Sequence, residues 1–443
     1  MSRRRAFVPW IATILLSAAT PAIRVEAEQR APKTLTLEEA HDLALKNHPD
    51  IAAADYRALA SQEVYRENRA ALLPQASLYG SAVQAESANT RIMAGGLNNP
   101  TVYSREAYGV GISQLITDFG HTSNLAASSK LQASAAAHTA AATRDDVLLE
   151  VDRDYFNALR ARAIVNVARQ TVETRQLLAE RVSVLAANQL KSELDVDFAK
   201  VALEDARLLL QKAQNDLDSS LASLCTALGL PDLQQFELAD RDPPLGTASQ
   251  DVGALIAAAL HARPELARFR DEHEAALHLA RSMRDARLPT ISAVVAAGAA
   301  PSHDVRLPND YAAGGIQISV PVFAGGLYEG RQHEAEFRAK AAAESLRTIE
   351  DQVRRDVRIA WLNLTNARQR LQTSEQLAQY AGNAYQLAAA RYRVGSASIV
   401  ELSQAQLELT SAQIGATTAR YDVLGQESLL DYETGAIALP NGR

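Results

Sequence analysis

Residues 203–228 read LEDARLLLQKAQNDLDSSLASLCTAL. Leu203, Ala206, Leu210, Ala213, Leu217, Leu221, Leu224 and Leu228 recur at spacings of three and four, the pattern of a helix that buries one narrow seam against another rod. The stretch closes a longer run, for between His121 and Leu228 there is neither glycine nor proline to break a helix. A second run, Val322 to Leu439, is free of proline, and Leu402, Ala405, Leu409, Ala412, Ala416, Ala419 and Val423 repeat the seam within it. Alanine at so many seam positions implies close approach of the rods. With 47% hydrophobic but only 5% aromatic residues, the chain suits long, tightly packed helices better than a bulky core.

Each run is expected to fold back once, near Asn188–Lys191 and near Val394–Ala397. The expected pieces are long helices over about 121–187 and 327–393 and return helices over about 192–228 and 397–432. At 1.5 Å per residue the long helices span roughly 100 Å and the return helices about 55 Å. A helix over about 50–72 adds roughly 35 Å, so two shorter helices stacked end to end nearly match one long one. A wall of parallel rods is the natural packing.

The two runs belong to an internal duplication. Asn47-His48-Pro49-Asp50 answers to Ala262-Arg263-Pro264-Glu265, and Leu73-Pro74 to Leu288-Pro289, at an offset of 215. Ser113 with Ser319, Gly120 with Gly326, Tyr155 with Trp361, Ser192 with Ser398, Asp195 with Glu401 and Gly229 with Gly435 lie 206 apart. The first half therefore carries nine extra residues between Pro74 and Ser113. Residues 28–230 form the first repeat and 252–434 the second. Between them, 231–251 holds Asp240, Asp242, Pro243, Pro244 and Gly246 and reads as an irregular linker; 435–443 is a tail.

Each repeat opens on a helix, capped at Thr36 in the first by the capping-box spacing Thr36-Leu37-Glu38-Glu39 and interrupted at Pro49. After the Leu-Pro pairs the pattern changes to strands, expected at about 76–85 and 107–117, then 290–299 and 312–322. Ile316, Ile318, Val320 and Val322 are expected on one oily face, with Gly315, Gln317 and Ser319 on the other. A barrel wall between lipid and water has that arrangement, and so has a soluble sandwich. Tyr155 and Trp361 read as packing residues, and Cys225 as a small buried hydrophobe.

Arg3, Arg4 and Arg5 precede an apolar run from Ala6 to Ala19, and Val25-Glu26-Ala27 resembles a cleavage site, so residues 1–27 are expected to be a secretory signal peptide. Losing four arginines and one acid with it moves the net charge from −7 to −10. That balance argues against nucleic-acid binding, which needs clustered cations. A single cysteine excludes an intrachain disulfide. No catalytic or metal-binding constellation is found: His273-Glu274 and His278 have the wrong spacing for a two-histidine zinc helix, no nucleophile elbow or phosphate loop occurs, and no cofactor is expected.

Four strands of about ten residues can cross a membrane but cannot close a barrel, because both sheet edges would leave backbone groups unpaired in lipid. Closure has to be shared between chains.

The signal peptide, the duplicated helix-strand-strand-helix-helix unit, Ser113-Gln114-Leu115 with Asp118-Phe119-Gly120, Ser319-Val320-Pro321-Val322-Phe323-Ala324-Gly325-Gly326, and Arg391-Tyr392-Arg393-Val394-Gly395 through Ala405-Gln406 together resemble the TolC-like outer-membrane factors. The resemblance covers essentially the whole mature chain. It implies a mainly α fold with membrane β-strands: a homotrimer sharing a twelve-stranded β-barrel in outer-membrane lipid and a long α-helical barrel in the periplasm. It implies the exit duct of a tripartite efflux or type I secretion system, working with a periplasmic adaptor and an inner-membrane pump of RND, ABC or MFS type. It places a periplasmic gate at Glu401, Asp195 and Tyr392, and adaptor contacts at the tips Asn188, Gln189, Leu190 and Val394, Gly395, Ser396. Two departures bear on the gate. Ala397 stands where a basic latch can occur, and Gln404 where a second acid can occur. A periplasmic coiled-coil scaffold without a pore is the rival reading, and the oily strand face opposes it.

Overall fold

The computed structural model describes residues 34–83, 105–232, 234, 236–240, 251–301 and 309–437. The expected leader, residues 84 and 85 of the first expected strand, and the tail from 438 onward lie outside the described residues. In chain order the elements are β1 (Thr34–Leu35), α1 (Leu37–Asn47), α2 (Pro49–Ala70), β2 (Gln75–Val83), β3 (Arg105–Thr117), α3 (His121–Ala187), α4 (Glu193–Ala227), β4 (Glu237–Leu238), α5 (Val252–Ala262), α6 (Pro264–Asp285), β5 (Thr290–Ala299), β6 (Asp310–Ser319), α7 (Leu327–Arg393) and α8 (Ile399–Thr434).

The helices follow from the glycine and proline pattern. α3 and α7 each run 67 residues without interruption. Both begin at a left-handed glycine, Gly120 or Gly326. Thr36 caps α1 reciprocally: its Oγ1 accepts from the Glu39 amide at 3.2 Å and the Glu39 carboxylate accepts from the Thr36 amide at 3.2 Å. Pro49 sits at the first turn of α2, where no amide hydrogen is needed.

In the half nearer the sheet, α2, α3, α6 and α7 pack side by side in that order; in the far half the order is α4, α3, α8, α7. The shorter helices thus stack in pairs beside the long ones. β2, β3, β5 and β6 form one antiparallel sheet in that order.

Register sorts the sheet's two faces. Leu78, Val110, Ile112, Val295, Ile316 and Ile318 share one face and are bare, Leu78 at 85% exposed. The other face carries Ser77, Gly111, Ala296 and Ala313 in one cross-strand row and Tyr79, Gly109, Gly298 and Tyr311 in the next. The two glycines leave room for the rings from either edge strand to meet, and the Tyr311 hydroxyl donates to that of Tyr79 at 3.0 Å.

Two expectations are corrected. The last strand ends at Ser319, not 322, because Pro321 has no amide hydrogen for a ladder bond. Val320 and Val322 therefore lie in the connection to α7, 53% and 92% exposed, rather than on the strand's oily face. The linker is not wholly irregular either, since Glu237–Leu238 pairs in parallel with Thr34–Leu35. Tyr155 clamps that pair: buried in α3, it donates from its hydroxyl to the carbonyls of Leu35 at 2.8 Å and Ala239 at 2.7 Å. It packs, as expected, and it also hydrogen-bonds. Leu35, Val151, Tyr155, Leu159, Leu224 and Leu228 form the core there.

The duplication shows where helix ends meet. After α4, Gly229 takes φ +67°, and a Cβ there would lie 2.7 Å from the Asn47 backbone at the α1–α2 junction. After α8, Gly435 takes φ +72° and faces Ala262 and Arg263 at the α5–α6 junction, where a Cβ would lie 3.0 Å from that of Ala262 and 3.1 Å from its carbonyl carbon. The second junction is ionic. Arg263, largely buried, pairs with Glu433 at 2.6 Å and Glu265 at 3.0 Å. Beside it, burial and the neighbouring Asp146 push the Asp145 carboxyl up to about 6, against the pull of Arg263 and Arg144.

Two outcomes are expected in thermal melts of the purified chain. Gly229→Ala, which meets both left-handed strain and backbone, should cost more than about 2 kcal/mol, while Gly435→Ala should cost about 1–2 kcal/mol; equal losses would contradict the packing. Between its ordinary value and about 6 the native Asp145 holds its proton more tightly than the unfolded chain does, so its contribution to stability falls as pH rises through that window. Asp145→Asn should therefore gain about 1–2 kcal/mol over the parent above pH 6 and little near pH 4; a gain independent of pH would refute the assignment.

Candidate functional site

The chain reverses twice at the end remote from the sheet, and both reversals have the same backbone. Gln189 and Gly395, equivalent by the 206-residue offset, follow the ends of α3 and α7 in left-handed conformations of φ +60° and +75°. Gln189 donates to the Ala186 carbonyl at 2.8 Å and Leu190 to that of Leu185 at 2.9 Å; Gly395 and Ser396 bond to Tyr392 and Arg391 in the same way. These are paired Schellman bonds. The first tip adopts the turn without a glycine, at a backbone cost of about 1–2 kcal/mol. All six expected tip residues are exposed, Leu190 at 69% and Val394 at 80%.

Ser192 and Ser398 start the return helices. Asp195 and Glu401, the expected gate acids, are the third residues of those helices, and both are engaged. The Asp195 amide donates to Ser192 Oγ at 3.2 Å, while its carboxylate accepts from the Ser192 amide at 3.2 Å and hydroxyl at 3.0 Å. The Glu401 amide donates to Ser398 Oγ at 3.1 Å. Its carboxylate accepts from Arg391 Nη1 at 2.5 Å, and the same guanidinium donates from Nη2 to the Ser396 carbonyl at 3.2 Å. Arg391 thus ties the last turn of α7, the tip and the first turn of α8 together. Ala397 is half-buried, and Gln404 is exposed and donates to Glu408 at 2.8 Å.

Tyr392 is not a rim residue. It is 6% exposed, and its hydroxyl meets no partner among the described residues. Burial pushes its phenol up from the ordinary value, and the carboxylate of Asp195 adds to the shift. The ammonium of Lys191 sits 4.4 Å from the ring centroid, a cation–π contact between the two hairpins. A cavity of about 420 Å³ opens there, lined by Leu178, Arg181, Lys191, Tyr385, Tyr392 and Arg393 among others. Asp195 and Tyr392 are therefore neighbours across hairpins, whereas Glu401 is held by its own hairpin. Sequence reasoning missed Arg391 and Lys191 as site residues. A cation in the last turn of one helix facing an acid in the first turn of the next was the available signal for Arg391.

Among the described residues no helix is long and apolar enough to cross a membrane, and no group of three His, Cys, Asp or Glu could hold a metal ion.

The fold has close likenesses among solved structures. A membrane protein from Pseudomonas aeruginosa superposes with a TM-score of 0.79 at 21% identity, over 91% of this chain and 91% of that one. The outer membrane protein VceC of Vibrio cholerae gives 0.76 at 19%, over 90% and 96%. The CmeC outer membrane channel of Campylobacter jejuni gives 0.78 at 19%, over 96% and 94%. No curated protein sequence matches. At these identities the structural likeness establishes a TolC-like fold and no more. The sequence itself carries the rest: the outer membrane efflux protein family model matches residues 40–230 and 255–435, one block on each repeat, and the chain belongs to that family.

Proposed function

We propose that three copies of this chain close into one duct, a twelve-stranded β-barrel in the outer membrane continued by an α-helical barrel in the periplasm. The duct is the exit path of an efflux or secretion system, and its hairpin tips receive a periplasmic adaptor that links it to an inner-membrane pump.

One observation carries the reading: the protomer has two unlike open sides along its whole length. On one side lie β2, α2 and α4; on the other lie β6 and α7. β2 and β6 offer unpaired backbone edges, and the bare face between them is the oily one. On α4, Leu194, Val201 and Leu208 recur at the heptad spacing and are 64%, 61% and 63% exposed. On α7, Leu377, Tyr380 and Leu387 are 58%, 68% and 64% exposed. Unlike sides that pair head to tail generate a ring, not an isolated two-fold dimer. Exposed Leu190 and Val394 at the tips support a docking role for that end.

The gate assignment is refined by the pairing at the tips. Glu401 and Asp195 act first as staples of their hairpins, and the mouth widens when the staples are cut.

In nonionic detergent the purified chain should run as a trimer. Val201→Glu with Leu208→Glu should yield monomers of unchanged helix content, since each apolar side chain so buried contributes about 1.5–3 kcal/mol. A parent protein that is monomeric, water-soluble and unable to insert into liposomes would overturn the duct. In planar bilayers, Arg391→Ala and Glu401→Ala should each raise single-channel conductance, and the double variant should match the singles because one ion pair is lost in every case. Additive increments would show that the two residues act separately. Replacing Asp195 with Ala should also raise conductance or alter cation selectivity, and unchanged values for Asp195 and Glu401 alike would remove the gate assignment.

A further inference from the structure

Tyr79 stands on edge strand β2 and Tyr311 on edge strand β6, in one cross-strand row with Gly109 of β3 and Gly298 of β5 between them. The Tyr311 side chain reaches over β5, and its hydroxyl donates to that of Tyr79 at 3.0 Å. The two inner positions of the row have no room for a side chain. A Cβ on Gly298 would lie 2.6 Å from the Tyr311 hydroxyl, and one on Gly109 closer still. The Tyr79 ring lies as low, 3.3 Å from where a Cβ on Gly111 would be. The Tyr311 ring packs on Ala107 and Ala300, both buried. Two half-buried rings thus lie flat on the backbone of the inner strands and join the outer ones.

The opposite face carries no such tie among the described residues. Leu78, Tyr108, Val110, Ile112 and Val295 remain bare there. Contacts between side chains of neighbouring strands are what stabilise a sheet, and aromatic rings laid over glycines are a known form of them. Acting on one face alone, they draw the strands together on that side, and the small residues beneath the rings give way to the bend. A twelve-stranded barrel needs a turn of about 30° at each strand, always toward the same face. The tie runs through side chains, so the backbone edges of β2 and β6 stay open to neighbours.

We propose that Tyr79 and Tyr311 form a strut that sets the arc of each protomer's sheet before three protomers close, with the tied face concave and lining the lumen. The inference rests on the duct reading above and adds that curvature is built within one chain, not imposed by its neighbours. An arc formed in advance leaves less ordering to be done when the edges meet. Because the rings lie flush with the wall, the strut shapes the barrel without narrowing it.

The test uses the full chain, unfolded in urea and diluted into dodecyl maltoside, with trimers followed over time on unheated gels and then recorded in planar bilayers. Tyr79→Phe and Tyr311→Phe should each slow trimer formation about fivefold, the factor given by one lost hydrogen bond of about 1 kcal/mol. The double variant should be no slower than either single, since all three lose the same bond. Tyr108→Phe, on the oily face of β3, should assemble like the parent. Unchanged rates in both single variants, additive slowing in the double, or equal slowing in Tyr108→Phe would overturn the strut and leave the duct intact. Conductance of the assembled variants should equal the parent's, and a raised value would mark the hydroxyls as a constriction and overturn the strut as well. A parent that never forms trimers would overturn the duct itself, and the strut with it.

Discussion

An unpaired backbone N–H or C=O in hydrocarbon costs several kcal/mol, and a four-stranded sheet has two edges full of them. The architecture can be read from that constraint. β2 is preceded by α2, β3 continues into α3, β5 is preceded by α6 and β6 leads into α7. The strand order β2-β3-β5-β6 is consequently the helix order α2-α3-α6-α7. In the proposed duct, the side that finds strand partners and the side that covers apolar helix stripes are the same side, so a single mode of association satisfies both.

Duplication supplies the skeleton, and the side chains then diverge on it. Both repeats end their return helix on a left-handed glycine wedged against a helix junction. At the first junction His48 accepts from the Asp50 amide at 3.2 Å and caps α2; at the second, Arg263 builds a buried ionic knot instead. His41 and Asp152 form a close buried pair, 2.5 Å apart, in the first repeat. Their counterparts by offset are Ile256 and Arg358. Removing one member of such buried pairs leaves a charge without a partner, so the two halves are equivalent in shape and unequal in sensitivity to substitution.

The long helices were legible because α3 lies in a run with neither glycine nor proline and α7 in a run without proline, and the expected bounds of 121–187 and 327–393 coincide with α3 and α7. The capping box at Thr36 and the turn at Pro49 are local chemistry and were legible for the same reason. The end of β6 was misjudged where alternation was allowed to outweigh the missing amide of Pro321. The β1–β4 pair and its Tyr155 clamp were hidden, because two residues on each side carry no periodicity and the clamp spans more than eighty residues of chain. The candidate site was half legible. The family resemblance pointed to Asp195, Glu401 and Tyr392, but the burial of Tyr392 depends on how two hairpins lean together, which no local pattern encodes.

The electrostatics of the tips illustrates the difference. A ring of bare carboxylates would hold a strong negative field, but each acid here lies within reach of positive or donating groups. Glu401 is paired with Arg391 while both remain about half exposed, a geometry typically worth about 0.2–1 kcal/mol and readily screened by salt. Asp195 accepts from the Ser192 amide and hydroxyl through one oxygen, Oδ2, and Arg181, Lys191 and Arg393 line the cavity beside it. The field at the mouth is then a small difference between opposed charges, whereas the hydrogen bonds that cap and staple the hairpins are direct. Under the proposed gate role, whatever moves the tips acts on these pairs first, and the change in field follows from their separation.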